Sequence, residues 1–471
     1  MSKPRTRITS TRRAWSIALC VAASTLAPGA SAQAPPAPPA PRAPSHAAIA
    51  RVVEALAQGL GRPKTRALVT SAPLVTDTPA PRAAQLTAQL TAQLAGRRGP
   101  GSRARAEPTL LPAAREAARA EGALIHLTVE IAAGKLRVSA DLFPVPRSVW
   151  GKIRDPEPGP VAHAFAEAPL DAEVRAYLAP IPIVTASVDR ARNFEGDVVA
   201  LACGDLDHDG SIEIVAVSRR RVTTERLRGG RVSPIVSRAF TDLAPVAPAP
   251  LREPIGFATL VAPTGGPWLL DVGLTDRARS VRLDGDLRVV TSFPGVAVPD
   301  GGASACTRLA GLVITGPLVS CVPGDPAPIS GSVGGQYDAF ASARLVSARG
   351  QDYAVWAGRE RGALELRDDA GHRSGLESVG AQLAVGDLDQ DGEPEIISSL
   401  DTLNPLEDAV VVRSWRRDAP VPPGAGPSAR LFESLRIPAA AGVRALAVCP
   451  PDGPGHTPFV VATADEIWVV R

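Results

Sequence analysis

The sequence predicts a mainly β protein, a six- or seven-bladed β-propeller preceded by a small α/β domain. Three observations predict it. From residue 180 onward, short β-rich runs recur in groups of four, in units of about forty residues. Across 45–150, helical and strand patterns alternate. Two acid-rich loops of identical spacing lie in the repeat region, about four units apart. The composition agrees. With 42 glycines and 47 prolines in 471 residues, turns are too frequent for an all-helical chain, and 45% hydrophobic residues suffice for a large core.

In chain order, residues 1–32 read as a secretory leader. Lys3, Arg5, Arg7, Arg12 and Arg13 precede an apolar run over 15–23, and Ala30-Ser31-Ala32 supplies small residues for cleavage after Ala32. Export through either the general or the twin-arginine route is compatible with Arg12-Arg13. No later run is long and apolar enough to span a bilayer. The expected location is therefore periplasmic or secreted, with no transmembrane segment after cleavage. The net charge of +3 is concentrated in this leader, which holds five basic residues and no acid. The remaining chain has no basic excess, which argues against a nucleic-acid partner.

Residues 33–44 (QAPPAPPAPRAP) form an extended Pro/Ala linker. The α/β domain at 45–150 follows. A helical pattern covers 46–60 and a strand 65–75. Leu86, Leu90 and Leu94 mark one helix face. A Gly/Arg-rich loop spans 97–107, and a further helix 113–121. Strands at 123–131 and 136–142 are joined by Ala-Gly-Lys as a hairpin. Residues 151–179 read as a linker.

The repeat units follow at 197–238, 256–293, 338–378, 380–437 and 441–471, with a degenerate copy at 302–330. A strand at 181–188 precedes the first unit, and the last unit is one strand short. The early strand is therefore expected to complete the final blade and close the ring. Cys306 and Cys321 lie on neighbouring predicted strands and are the candidate disulfide pair, with buried free thiols as the alternative.

The chemistry is carried by Leu201-Ala-Cys-Gly-Asp-Leu-Asp-His-Asp-Gly-Ser-Ile-Glu-Ile-Val and Leu383-Ala-Val-Gly-Asp-Leu-Asp-Gln-Asp-Gly-Glu-Pro-Glu-Ile-Ile. Each places acids at relative positions 1, 3, 5 and 9: Asp205, Asp207, Asp209 and Glu213, then Asp387, Asp389, Asp391 and Glu395. Carboxylates at alternate positions of a tight loop converge on one centre, and the glycine after the third acid permits the bend. A hard divalent cation offsets their mutual repulsion, and Ca2+ tolerates such an irregular oxygen cage better than Mg2+. An EF-hand would need an acid at position 12, where these loops have Ala216 and Ser398, and flanking helices in place of strands.

At these residues the chain resembles the FG-GAP/VCBS repeats of integrin-α-type propellers, whose motif is Gly-Asp-x-Asp-x-Asp-Gly-x-x-acid between apolar strands. The resemblance implies two Ca2+ sites and adds the backbone carbonyls of Ser211 and Glu393 as ligands. The units without these acids are expected to hold no metal. The helix ending at 118–123 and the strand at 136–142 resemble the N-terminal domain of TolB-like envelope proteins. An α/β domain before a propeller implies a scaffold role at a bacterial envelope.

No nucleophile elbow, zincin, P-loop or dinucleotide motif occurs, and His46, His126, His163, His208, His372 and His456 are scattered. Arg219, Arg220, Arg221, Arg226, Arg228 and Arg231 read as a solvated edge, with an anionic glycan partner as the alternative. Trp268, Trp356, Trp415 and Trp468 read as blade packing. The function expected is non-enzymatic binding of an envelope or surface protein or a glycan. The alternative is a glycan hydrolase or lyase with its active site in the channel, recognisable by acids or histidines converging at the channel mouth.

Overall fold

The computed structural model describes residues 47–471 apart from 62–65, 184–185, 194, 208, 210, 229–230, 247–253, 262–266, 302, 311–312, 322–334, 421–425, 427 and 452–454. The expected leader and Pro/Ala linker lie outside the described residues, as do His46, His208, the Gly229-Gly230 turn and the loop at 263–266. No described helix is long and apolar enough to cross a membrane.

The N-terminal part is a mixed sheet with helices on both faces. Its central strands Ala67–Ser71 and Ala123–Ala132 are parallel, and Lys135–Pro144 and Ala162–Pro169 continue the sheet in antiparallel fashion. Strand alternation sends Ile125, Leu127, Val129 and Ile131 to one face. There they pack against Ile49, Val52 and Leu56 of the helix Ala48–Gly59 and Leu86, Leu90 and Leu94 of the helix Ala83–Arg98. Leu124 and Phe143 face the other way, onto Ala114 of the helix Leu111–Ala117.

Two sequence expectations shift here. The stretch 151–179 carries the edge strand Ala162–Pro169 and the helical turn Ala172–Arg175, so the α/β fold runs well past residue 150. The expected loop at 97–107 contains a two-residue strand, Arg103–Ala104, parallel to Ala67–Ser71. Ala164, Ala166 and Ala168 alternate toward the core, and they are small because the first helix lies close: a Cβ on Gly59 would stand 2.8 Å from that of Ala164.

The rest of the chain is a six-bladed β-propeller, each blade a four-stranded antiparallel sheet. Blade I spans 198–239, blade II 256–294, blade III 296–337, blade IV 339–376 and blade V 379–438. The degenerate copy expected at 302–330 is a full blade that starts six residues earlier. Blade VI takes three strands from 443–470 and its outermost strand from Val188–Arg192, which pairs with Glu466–Val470. The innermost strands, among them Val198–Gly204, Val379–Gly386 and Val443–Val448, contact their neighbours around a closed ring. Closure by the early strand matches the expectation in role, with the pairing segment at Val188–Arg192 where 181–188 was expected.

Two disulfides tie the ring. Cys306–Cys321 lies within blade III, on the expected pair. Cys203–Cys449 was not expected. It joins the end of blade I's innermost strand to the loop after blade VI's, across the closure point and 246 residues apart.

Candidate metal centre

Both acidic loops leave the innermost strand of their blade and lead into the second strand, in blades I and V, four blades apart. Their backbones are built alike. Leu206 N–H donates to Glu213 Oε2 and Leu388 N–H donates to Glu395 Oε2, each at 2.8 Å. Asp209 and Asp391 donate their N–H groups to Asp207 and Asp389 at 3.2 Å. Ser211 and Glu393 donate theirs to Asp209 and Asp391 at 2.8 Å. The acid at position 9 thus folds one oxygen back onto the loop and leaves the other for something else. Carboxylate atoms of Asp205, Asp207 and Glu213 lie within 4.8 Å of one another, and so do those of Asp387, Asp389 and Glu395.

The second oxygen separates the two loops. In blade I, Arg226 takes it: its Nε donates to Glu213 Oε1 at 2.9 Å, and its Nη2 reaches the same oxygen. The same guanidinium contacts Asp207 Oδ2 and Asp209 Oδ2, each at 3.0 Å. Its charge is reinforced chiefly by the hydrogen bond to Glu213. Asp209 is held below the ordinary carboxylate range, first by the Ser211 amide, then by the Ser211 hydroxyl and after it by Arg226.

In blade V the equivalent oxygen, Glu395 Oε1, is buried and has no hydrogen-bond partner among the described residues, and Glu395 as a whole is fully buried. Asp387 accepts from the amides of Asp391 and Gly392 at 3.0 Å. Burial, and then the charges of the neighbouring loop acids, push Asp387 and Glu395 well above the ordinary range. Asp389 is pushed up to about 7, by burial first and Asp391 second, against the pull of Arg416. A carboxylate set this reluctant to ionise, with one orphaned oxygen in an all-oxygen cage, fits a hard cation.

The arginines near this loop sit at its rim. Arg416 pairs with Asp391 and stands 3.9 Å from Asp389. Arg417 packs over the Tyr353 ring and binds Asp368 and the Glu393 side chain, which therefore points away from the centre.

The blade V loop is also where the α/β domain meets the propeller. Arg175 Nε donates to Gln390 Oε1 at 2.6 Å, and Gln390 Nε2 donates to the Gly455 carbonyl. Gln390 is buried in a left-handed conformation, φ 56°. Gly392, φ +87°, leaves no room for a side chain: a Cβ there would stand 2.5 Å from the Ala348 nitrogen and 3.0 Å from the Ala172 Cβ. Tyr353 donates its hydroxyl proton to the Gly392 carbonyl at 2.8 Å. Glu173 packs against Gly350, and burial raises its carboxyl to about 7.

Inside the ring, the innermost strands enclose a channel cavity of about 1040 Å³, with Arg51, Asp171 and Ala172 of the α/β domain on its lining. Its lining acids include Asp171, which caps the helical turn and the first helix, and Asp338, which is paired with Arg359. Among the described residues no histidine lines it. Trp356, Trp415 and Trp468 are buried in blades, as expected from sequence, whereas Trp268 stands just before its strand, half-buried on the channel lining.

Of the four acids expected in each loop, Asp205, Asp207 and Glu213, and Asp387, Asp389 and Glu395, come together, while Asp209 and Asp391 fall outside the clusters; Arg226 was missed and placed on a solvated edge. The signal was available. In the hairpin Glu213–Ser218 to Arg221–Arg228, Glu225 pairs with Ile214, and the next step sets Arg226 opposite Glu213.

No protein-family model and no curated protein matches this chain. Among solved structures, an arginine-substituted mutant of AofleA from Arthrobotrys oligospora aligns over 59% of this chain and 84% of its own, at 11% identity and a TM-score of 0.32. The Dos1 propeller aligns over 74% of this chain and 79% of its own, at 9% identity and a TM-score of 0.31. The six-bladed arrangement itself is read from the strand order of the six sheets.

Proposed function

We propose that the protein is an exported, calcium-stabilised propeller that acts as a non-enzymatic binding or scaffold module for a protein or glycan at a bacterial cell envelope. The observation that carries the calcium part is the blade V loop. Asp387, Asp389 and Glu395 converge there, and Glu395 presents a buried oxygen with no hydrogen-bond partner among the described residues. Asp387, Asp389, Asp391 and Glu395 would hold the ion, with the Glu393 carbonyl added by likeness to FG-GAP/VCBS repeats. The ion would supply positive charge to a site that is costly to ionise without it. Two disulfides support an oxidising compartment. The α/β domain ahead of the ring supports a TolB-like layout, as an analogy of architecture.

The binding reading has a direct test. The purified mature chain is incubated with envelope glycan fractions, and both retention and newly released reducing or unsaturated ends are measured. Retention with no release is expected. Turnover of any glycan would replace the scaffold reading with the enzyme. For export, sequencing the N-terminus of the secreted or periplasmic form is expected to begin at Gln33.

A further inference from the structure

We propose that calcium loads only the blade V loop, because Arg226 already fills the corresponding place in the blade I loop. The inference rests on the calcium reading above and departs from the two equal sites that the matching sequences imply.

The two loops share spacing, turns and the fold-back of the position-9 acid, so the difference comes from the neighbouring strand. In blade V, Glu395 pairs directly with Ser414 across the sheet. The same register in blade I, one step past the Glu225–Ile214 pair, holds Arg226. Residues opposed in an antiparallel ladder project to the same face, so an arginine there reaches its partner's carboxylate and a serine does not. Arg226 uses all three guanidinium nitrogens on Glu213, Asp207 and Asp209, three of the four acids that an ion would need. Ser414 is turned to Ser434, 2.8 Å away.

Arg416 is not the counterpart of Arg226. It contacts Asp391 and lies 3.9 Å from Asp389; among the described residues Glu395 Oε1 has no hydrogen-bond partner, and Asp387 accepts from the amides of Asp391 and Gly392 with the Arg175 charge nearby. The blade V acids are also the more enclosed. The Asp389 side chain is 11% exposed, against 53% for its equivalent Asp207. An ion entering the blade I loop must displace three charge-assisted contacts, one of them on Glu213; in the blade V loop it competes with Arg416 at Asp391 and, at longer range, Asp389, and it satisfies a Glu395 oxygen that otherwise has no partner among the described residues.

The test is the number of Ca2+ ions bound per full mature chain, measured by equilibrium dialysis and by calorimetric titration. Variants are Arg226→Ser, Ser414→Arg and Glu395→Gln, each checked for fold by circular dichroism. The wild type is expected to bind one ion. Arg226→Ser is expected to bind two, with affinity at the blade I loop raised by about 100-fold or more. Glu395→Gln is expected to bind none alone and one when combined with Arg226→Ser. Ser414→Arg is expected to abolish binding, and if it fails to fold the other variants still decide. Two ions in the wild type, one ion retained in Glu395→Gln, or no gain in Arg226→Ser would overturn the asymmetry while calcium binding itself stands. No ion in either the wild type or Arg226→Ser would overturn the calcium reading.

Discussion

The blade I and blade V loops begin with nearly the same residues and end in different chemistry. Blade I is held from within its own blade and by a covalent bond. Arg226 neutralises the acids, and Cys203, two residues ahead of Asp205, is bonded to Cys449 of blade VI. Blade V has Val385 where blade I has Cys203, and Ser414 where blade I has Arg226. Besides Arg416 and Arg417 of its own blade, it is held from outside, by Arg175 of the α/β domain on Gln390 and by the close approach of Ala172. A liganding motif is thus only half of a site. The strand across the sheet decides whether the cage is filled by the chain or by an ion.

The largest expected effect tests the covalent half. Replacing Cys203 and Cys449 together by alanine frees a loop of 246 residues across the ring closure. On chain-entropy grounds this costs about 5 kcal/mol, against about 3 kcal/mol for Cys306 and Cys321, 15 residues apart. Urea unfolding of the two double variants gives the comparison. Equal losses would mean that the closure bond does not anchor blade I.

A smaller effect is expected at Gly392→Ala. The left-handed backbone and the close approach of Ala348 and Ala172 both oppose a methyl group, for a loss of about 1–3 kcal/mol. The damage is expected at the domain contact. Hydrogen exchange should rise at Ser347, Gly350 and Ala172 and remain unchanged in the blade I loop. Uniform loosening of both loops would contradict external support for blade V.

The smallest effect is on pH dependence. Asp389 and Glu173 each have a folded-state carboxyl raised to about 7, from ordinary values of 3.8 and 4.5. Between those limits the folded chain holds protons that the unfolded chain has released, so stability falls as pH rises through that window. In chelator, the melting temperature is expected to be lower at pH 8 than at pH 6. Calcium is expected to remove the Asp389 share and Glu173→Gln a second share, leaving that of Glu225, which burial also raises to about 7. A chelated protein that gains stability from pH 6 to 8 would contradict the burial of these groups.

Much of this architecture was legible in the sequence because it is periodic. The blades announce themselves by strand runs and turns, and the loops by carboxylates at alternate positions. What escaped did so for physical reasons. The closing strand Val188–Arg192 is an outermost strand whose side chains mostly face solvent, so the apolar run just before it drew the prediction to 181–188. The edge strand Ala162–Pro169 buries alanines, whose alternation is weak in hydrophobicity though strict in size. The Cys203–Cys449 bond depends on ring closure, which no local pattern encodes. Arg226 was read with its arginine neighbours as surface charge, although strand register sets it apart from them.

The central claim is that an ion completes the cage around Glu395 and thereby stabilises blade V. The most direct measurement is the melting temperature of the full mature chain in millimolar Ca2+ and in chelator, for the wild type and for Glu395→Gln. The account predicts a rise of several degrees with Ca2+ in the wild type, on the order of 2 kcal/mol or more at saturating ion, and no rise in Glu395→Gln. Identical melting with and without Ca2+ in the wild type, or a rise that survives Glu395→Gln, would contradict it.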